Sequence, residues 1–130
     1  MKLIIGGAYH GKLDYALERY ALERASVYQC TETTPEIDFS KEIINSLHLW
    51  VLGRLRAGSF AHSDPLNYLE NHLELLQTKI VICDDISCGV VPMESEMRRW
   101  RETVGRCLVF LSGHAEEVVR VFYGLGTKLK

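Results

Sequence analysis

Seven residues near the start, Gly6-Gly7-Ala8-Tyr9-His10-Gly11-Lys12, match the spacing G-x-x-x-x-G-K. Residues of these types at this spacing can hold a phosphate. Glycines let backbone N–H groups turn inward around anionic oxygens. A helix starting at the end of the turn adds the positive end of its dipole. The lysine reaches the terminal phosphates, and a Ser or Thr directly after it binds Mg2+ through its hydroxyl. Here that next residue is Leu13, which has no oxygen to offer. Asp14 is one helical step further on, a rotation of about 100° away from the metal side. The candidate nucleotide-binding set is therefore Gly6, Gly7, Ala8, Tyr9, His10, Gly11, Lys12 and Leu13. The ligand expected is ATP or GTP, with Mg2+ binding weakened. His10 could donate to a phosphate or face solvent. Without its Ser or Thr, the same pattern also makes an ordinary turn between a strand and a helix.

A second group of candidates lies further along. The run KIVICDD ends in Asp84-Asp85. In a parallel sheet, ligands gather at the carboxyl ends of strands, where an acid can hold a metal or its water. Lys12 and Asp85 are the candidate catalytic residues, with Asp85 serving the metal or a substrate hydroxyl, and Asp84 is a candidate metal ligand. Either acid could instead cap or turn the loop. Arg98, Arg101 and Arg106 are candidate substrate contacts for phosphate; a solvated helix face with Glu94, Glu96 and Glu102 is an equal alternative. His48 and Trp50 sit on a mostly apolar helix, where a core or interface role is expected of the histidine. His62 and His72 have no metal-ligand spacing to any cysteine.

These residues need a frame. KLIIG and SVYQC read as short strands, and GKLDYALERYALERA puts Leu13, Ala16, Leu17, Tyr20 and Ala21 on one helical face. TETTPEIDFS reads as a loop. SKEIINSLHLWVLGRLRAG places Ile43, Ile44, Leu47, Trp50, Val51, Leu52 and Leu55 at helical spacing, with Gly58 as a candidate cap. Another helix is announced by Ser63 or Asp64 as its cap and Pro65 in its first turn, with the stripe Leu66, Leu69, Leu73 and Leu76. KIVICDD is a strand buried on both faces. After the loop ISCGVVP comes a long helix with Met97, Trp100, Val104, Leu108 and Leu111 inward, then a last strand in EEVVRVFYG. Alternating strands and helices predict an α/β fold, a mostly parallel sheet flanked by helices, with residues 1–130 as one domain.

The bulk composition agrees. The chain has 130 residues, 47% hydrophobic and 25% charged, enough apolar material for one core. A net charge of -2 gives no reason to expect nucleic acid or an anionic membrane. No apolar run approaches the roughly 20 residues of a membrane span. Cys30, Cys83, Cys88 and Cys107 form no CxxC pair and read as buried free thiols. With no signal peptide at the N-terminus, a cytoplasmic location is expected.

The stretch KIVICDDISCGVVPMESEMRRWRETVGR resembles the bifunctional adenosylcobinamide kinase/adenosylcobinamide-phosphate guanylyltransferase family. That family carries TGGARSGKS near its start, then NEVGxGIVPE, ARxFRDxxGRxNQ and a closing VxGxxxxxK. Asp84-Asp85 stand at its Asn-Glu and Ile86-Ser87 at its Val-Gly, while Gly89, Val90, Val91 and Pro92 match. Arg99-Trp100-Arg101-Glu102 is similar to the Arg-Phe-Arg-Asp run, Gly105-Arg106 matches, and IINSLHLW is similar to LxDCLTLW. The ending YGLGTKLK is also similar. The resemblance implies a P-loop NTPase-like fold, a purine nucleotide and a corrinoid as partners, homo-oligomers, and a role in cobalamin nucleotide-loop assembly. The departures imply loss. Leu13 replaces the metal-binding hydroxyl, Asn45 replaces the acid of LxDC, and Leu108-Val109 replace Asn-Gln. Only a short polar stretch follows Cys30, where the segment with the guanylyl-accepting histidine belongs. The guanylyltransferase half is thus expected to be absent and the kinase half weakened or lost. The alternative is a non-catalytic paralogue that binds nucleotide or corrinoid, or regulates an active enzyme.

Overall fold

The computed structural model describes residues 1–33, 36–57, 64–86 and 93–130. Strand β1 (Lys2–Gly6) leads through the glycine-rich turn into helix α1 (Lys12–Arg19). A short 3-10 turn precedes β2 (Val27–Gln29), and β3 (Ile43–Asn45) runs directly into α2 (Leu47–Ala57). Then come α3 (Pro65–Asn71), α4 (Leu73–Leu76), β4 (Ile80–Asp84), α5 (Ser95–His114), β5 (Glu117–Phe122) and β6 (Leu125–Lys128). The six strands form one sheet in the order β2-β3-β4-β1-β5-β6. All pairs are parallel except β5 with β6. The α/β expectation holds, with helices on both faces.

Alternation along the strands divides the core in two. Leu3, Ile44, Val81, Cys83 and Val118 point to one face, where they meet Trp50 and Val51 of α2, Leu69 of α3 and Val104, Cys107 and Leu111 of α5. Ile4, Ile43, Ile80, Ile82, Val119 and Val121 point to the other face and are covered by α1 through Ala16. The central strand β4 is buried on both sides, as its unbroken apolar run requires. Cys30, Cys83 and Cys107 are buried free thiols, and burial pushes Cys30 and Cys107 up to about 12. Cys88 lies outside the described residues. No helix among the described residues is long and apolar enough to cross a membrane.

Four expectations need correction. Ile43 and Ile44 are not the first turn of a helix but a strand, fully buried between β2 and β4. Their β-branched side chains suit that pleated position, and the helix starts only at Leu47, after Ser46 turns with φ 62°. Helix α1 ends at Arg19, because Ala21 takes the left-handed conformation at φ 52°. The leucine-striped helix breaks at His72 into α3 and α4, and only Leu69 and Leu76 of its stripe are fully buried. The chain does not end in a single strand. β5 turns back as a hairpin through Tyr123 and Gly124, both at positive φ, as a two-residue turn between antiparallel strands demands. Asp64 is the cap of α3, its Oδ1 accepting from the Leu66 N–H at 3.1 Å. The other candidate caps, Ser63 and Gly58, lie outside the described residues.

The strand assignment of Ile44 carries a stability consequence. Ile44→Ala empties a site with no exposure. The expected loss is about 2–5 kcal/mol, read as a lowered denaturation midpoint at unchanged slope in urea titration.

Candidate functional site

The site forms where β1 and β4 lie side by side. Their register pairs Gly6 with Asp84, so the glycine-rich turn leaves the sheet beside the acid that ends β4. The Asp85 N–H donates to the Gly6 carbonyl at 2.9 Å and ties the two strand ends together. Gly6 has no room for a side chain, since a Cβ there would sit 2.4 Å from the Val121 carbonyl oxygen. Gly11 enters α1 at φ 80°, a conformation open to glycine at little cost. The turn thus delivers Lys12 to the first residue of α1.

Lys12 is only 8% exposed. Its Nζ lies 2.6 Å from Asp84 Oδ1 and donates to the Gly7 carbonyl at 2.6 Å. A buried ammonium needs such oxygens, because leaving it unpaired costs several kcal/mol (about 3–5). Asp84 is held from its other side by His48. The Asp84 N–H donates to His48 Nδ1 at 3.1 Å, and His48 Nε2 lies 3.4 Å from Asp84 Oδ2. A nitrogen that accepts an N–H carries no proton, so the neutral ring bears its hydrogen on Nε2 and points it at the carboxylate. Burial pulls the His48 imidazole below its usual value, the Asp84 carboxylate opposes this, and the Lys12 ammonium reinforces it. The Trp100 indole N–H donates to the His48 carbonyl at 2.7 Å and pins this end of α2 to α5.

A polar cleft of about 270 Å3 opens over Lys12. Tyr9, Gly11, Lys12, Leu13 and Asp14 line it from the turn and α1, with Asn45 and Ser46 from the end of β3, Asp84 from β4, and Arg24. Arg24 pairs with Asp14 at 3.1 Å on the exposed rim. Asp14 thus stands at the rim of the cleft with its carboxylate turned to Arg24. The turn is held by its own side chains. Lys12 occupies the Gly7 carbonyl, and the His10 ring folds over Gly7, so that a Cβ there would lie 3.3 Å from His10 Nε2.

No family model and no curated protein matches this chain. The geometry alone therefore sorts the candidates. Lys12 and Asp84 meet; Asp85 does not join them. It follows Asp84 and lines a different groove, beside Leu3, Ile5, Leu108 and Val118 on the α5 face. Asp84, the candidate metal ligand, is engaged by Lys12 on one oxygen and by His48 on the other. Leu13 packs under α1 against the second core cluster. Asn45 uses its amide hydrogen on Gln29 Oε1 at 2.7 Å. Among the described residues, no group of three His, Cys, Asp or Glu could hold a metal ion. Ala8 is exposed at the tip of the turn.

Arg98, Arg101 and Arg106 lie on α5 and do not line this cleft. Arg98 donates to the Met93 carbonyl, and Arg106 pairs with Glu102 at 2.5 Å along the helix. The Arg106–Glu102 pair follows the solvated-face alternative. Sequence reasoning missed Ser46, Arg24 and the role of His48. The signal for His48 was weak but present: one polar residue in an apolar helix start, with an aspartate at the end of a buried strand to receive it.

Two outcomes test this network. Asp84→Asn leaves the Lys12 ammonium buried without its counter-charge. The expected cost is about 3 kcal/mol, the low end for a buried pair because the Asp84 side chain is 20% exposed, and thermal or urea unfolding measures it. The second concerns pH. Folding disfavours the protonated His48, so the unfolded chain binds this proton more readily. The stability it contributes is full above the unfolded value of 6.5 and is lost as pH falls below it. Melting temperatures followed from about pH 7.5 down to pH 5.5 are expected to fall, and His48→Asn, which keeps an acceptor for the Asp84 N–H, is expected to flatten that slope.

Proposed function

We propose that this chain is a purine-nucleotide-binding protein of P-loop type, related to the adenosylcobinamide kinase/guanylyltransferase family. In this reading its phosphoryl transfer is weakened or lost and its guanylyltransferase half is absent. The observation that carries the reading is the placement of Lys12: a buried ammonium at the first residue of a helix, after a glycine-rich turn, facing an acid at the end of the adjacent parallel strand. That is the arrangement a polyphosphate requires. Backbone N–H groups and the helix end supply partial positive charge, and the lysine supplies a full one. An arriving phosphate oxygen is a third acceptor for the ammonium beside the Gly7 carbonyl and Asp84, so the charge stays paired throughout.

The residues present fit Mg2+ poorly. Leu13 offers no hydroxyl and the Asp84 carboxylate is taken on both sides. Phosphoryl transfer relies on metal to position the phosphates and neutralise charge, so the rate of a kinase step suffers by orders of magnitude. This favours the second reading, a non-catalytic nucleotide- or corrinoid-binding partner of an active enzyme, assembling with copies of itself or with that enzyme. The buried free thiols suit the reducing cytoplasm.

Calorimetric titration with ATP and GTP, with and without Mg2+, tests the proposal. Binding of either nucleotide is expected, changed less than about threefold by the metal. Lys12→Ala is expected to weaken binding at least about tenfold, the worth of one charge-assisted contact. A coupled assay with cobinamide as acceptor separates a weakened kinase from a binding module. Failure of ATP and GTP alike to bind overturns the proposal.

A further inference from the structure

The tip of the β5–β6 hairpin lies against the glycine-rich turn. The Gly124 N–H donates to the His10 carbonyl at 2.8 Å, and a Cβ on Gly11 would lie 3.5 Å from Gly124 Cα. The contact continues through rings. His10 stacks on Tyr123 with centroids 4.6 Å apart and planes 14° from parallel. Phe122 stands edge-on to both, at 4.8 Å from His10 and 4.4 Å from Tyr123. His10 Nδ1 is buried and lacks a hydrogen-bond partner among the described residues.

This aromatic cluster is left open to water. Tyr123 is 72% exposed although one ring face is covered by His10. Phe122 and Leu125 beside it are exposed as well, and Tyr9, which lines the Lys12 cleft, is fully exposed. Tyr9 holds left-handed backbone at φ 62°, an uncommon conformation for a bulky residue, whereas the positive φ of Tyr123 belongs to its hairpin turn. Non-glycine residues in such conformations cluster at ligand sites. Exposed apolar rings gathered at one place mark a binding surface.

We propose that the open face of Tyr123, with Phe122 at its edge, seats the base of a nucleotide whose phosphates lie in the turn. The inference rests on the phosphate-cradle reading and adds the second half of the ligand. The occupant follows from continuity: Gly11 lines the Lys12 cleft and lies against Gly124 at the hairpin tip, and His10 beside it stacks on Tyr123, so a molecule with phosphates at one end and a flat π-face at the other spans both. Stacking tolerates any base, because every base has such a face. The platform therefore binds ATP and GTP alike rather than choosing between them.

The test compares ligands with and without a base on the full chain. Tyr123→Asn removes the ring while keeping a residue at ease at positive φ; Tyr123→Phe keeps the ring. ATP, GTP and inorganic tripolyphosphate are titrated against each. The expected result is a loss of roughly tenfold or more for ATP and GTP with Tyr123→Asn. Tripolyphosphate affinity stays unchanged, and Tyr123→Phe binds as the wild type does. If Tyr123→Asn binds ATP at wild-type strength while tripolyphosphate still binds, the base seat is wrong and the phosphate cradle stands. If tripolyphosphate weakens as much as ATP, the ring only shapes the turn, and the inference falls. A change in sedimentation without a change in nucleotide affinity makes the patch a contact between copies, which also overturns it. If the wild type binds neither nucleotide nor tripolyphosphate, the cradle fails and takes the base seat with it.

Discussion

A buried ammonium has to be matched by oxygens, and at this site the pairing of β1 with β4 supplies them. Because Gly6 stands opposite Asp84, the turn that leaves β1 brings Lys12 back over the end of β4. The positive end of α1 lies at the same place and would by itself repel a lysine. Asp84 and the Gly7 carbonyl make the position tolerable. The proposed anion would add an acceptor to a group that has three donors and two oxygen partners.

The match extends beyond two side chains. His48 gives Asp84 a donor on its second oxygen and takes its backbone N–H. Trp100 fixes the His48 carbonyl, so β4, α2 and α5 converge on one carboxylate. These bonds tie the end of β4 to the start of α2, and the start of α2 to α5. The buried thiols of Cys83 and Cys107 sit in this packing, and their burial keeps them protonated and inert.

Much of the fold could be read from residue order, because periodicity reports burial. β4 announced itself by an unbroken apolar run, α3 by Asp64-Pro65, and the turn by its glycines. Other parts depend on tertiary contacts that no local pattern encodes. Ile43 and Ile44 have spacing suitable for a helix, and only the neighbours β2 and β4 make them a strand. The hairpin through Tyr123-Gly124 hides because tyrosine is a poor advertisement for positive φ. At the site, Lys12 was legible from its motif. The choice of Asp84 over Asp85 was not, since adjacent residues leave a strand toward opposite faces and the sequence does not say which face holds the lysine.

Three side chains at the Lys12 cleft share one electrostatic logic. Leu13 offers no hydroxyl and packs its volume against the core under α1. Asn45 is a neutral amide tied to Gln29. Asp84 brings a protein anion to the lysine. The charge at the cleft is thus matched locally, with the protein's own carboxylate on the ammonium. The Arg24–Asp14 pair at the rim adds little to that balance, because both side chains are mostly in water, where such pairs are screened. In the proposed reading the draw on a phosphate comes from groups that no side chain supplies, the backbone N–H groups of the turn and the helix that follows it.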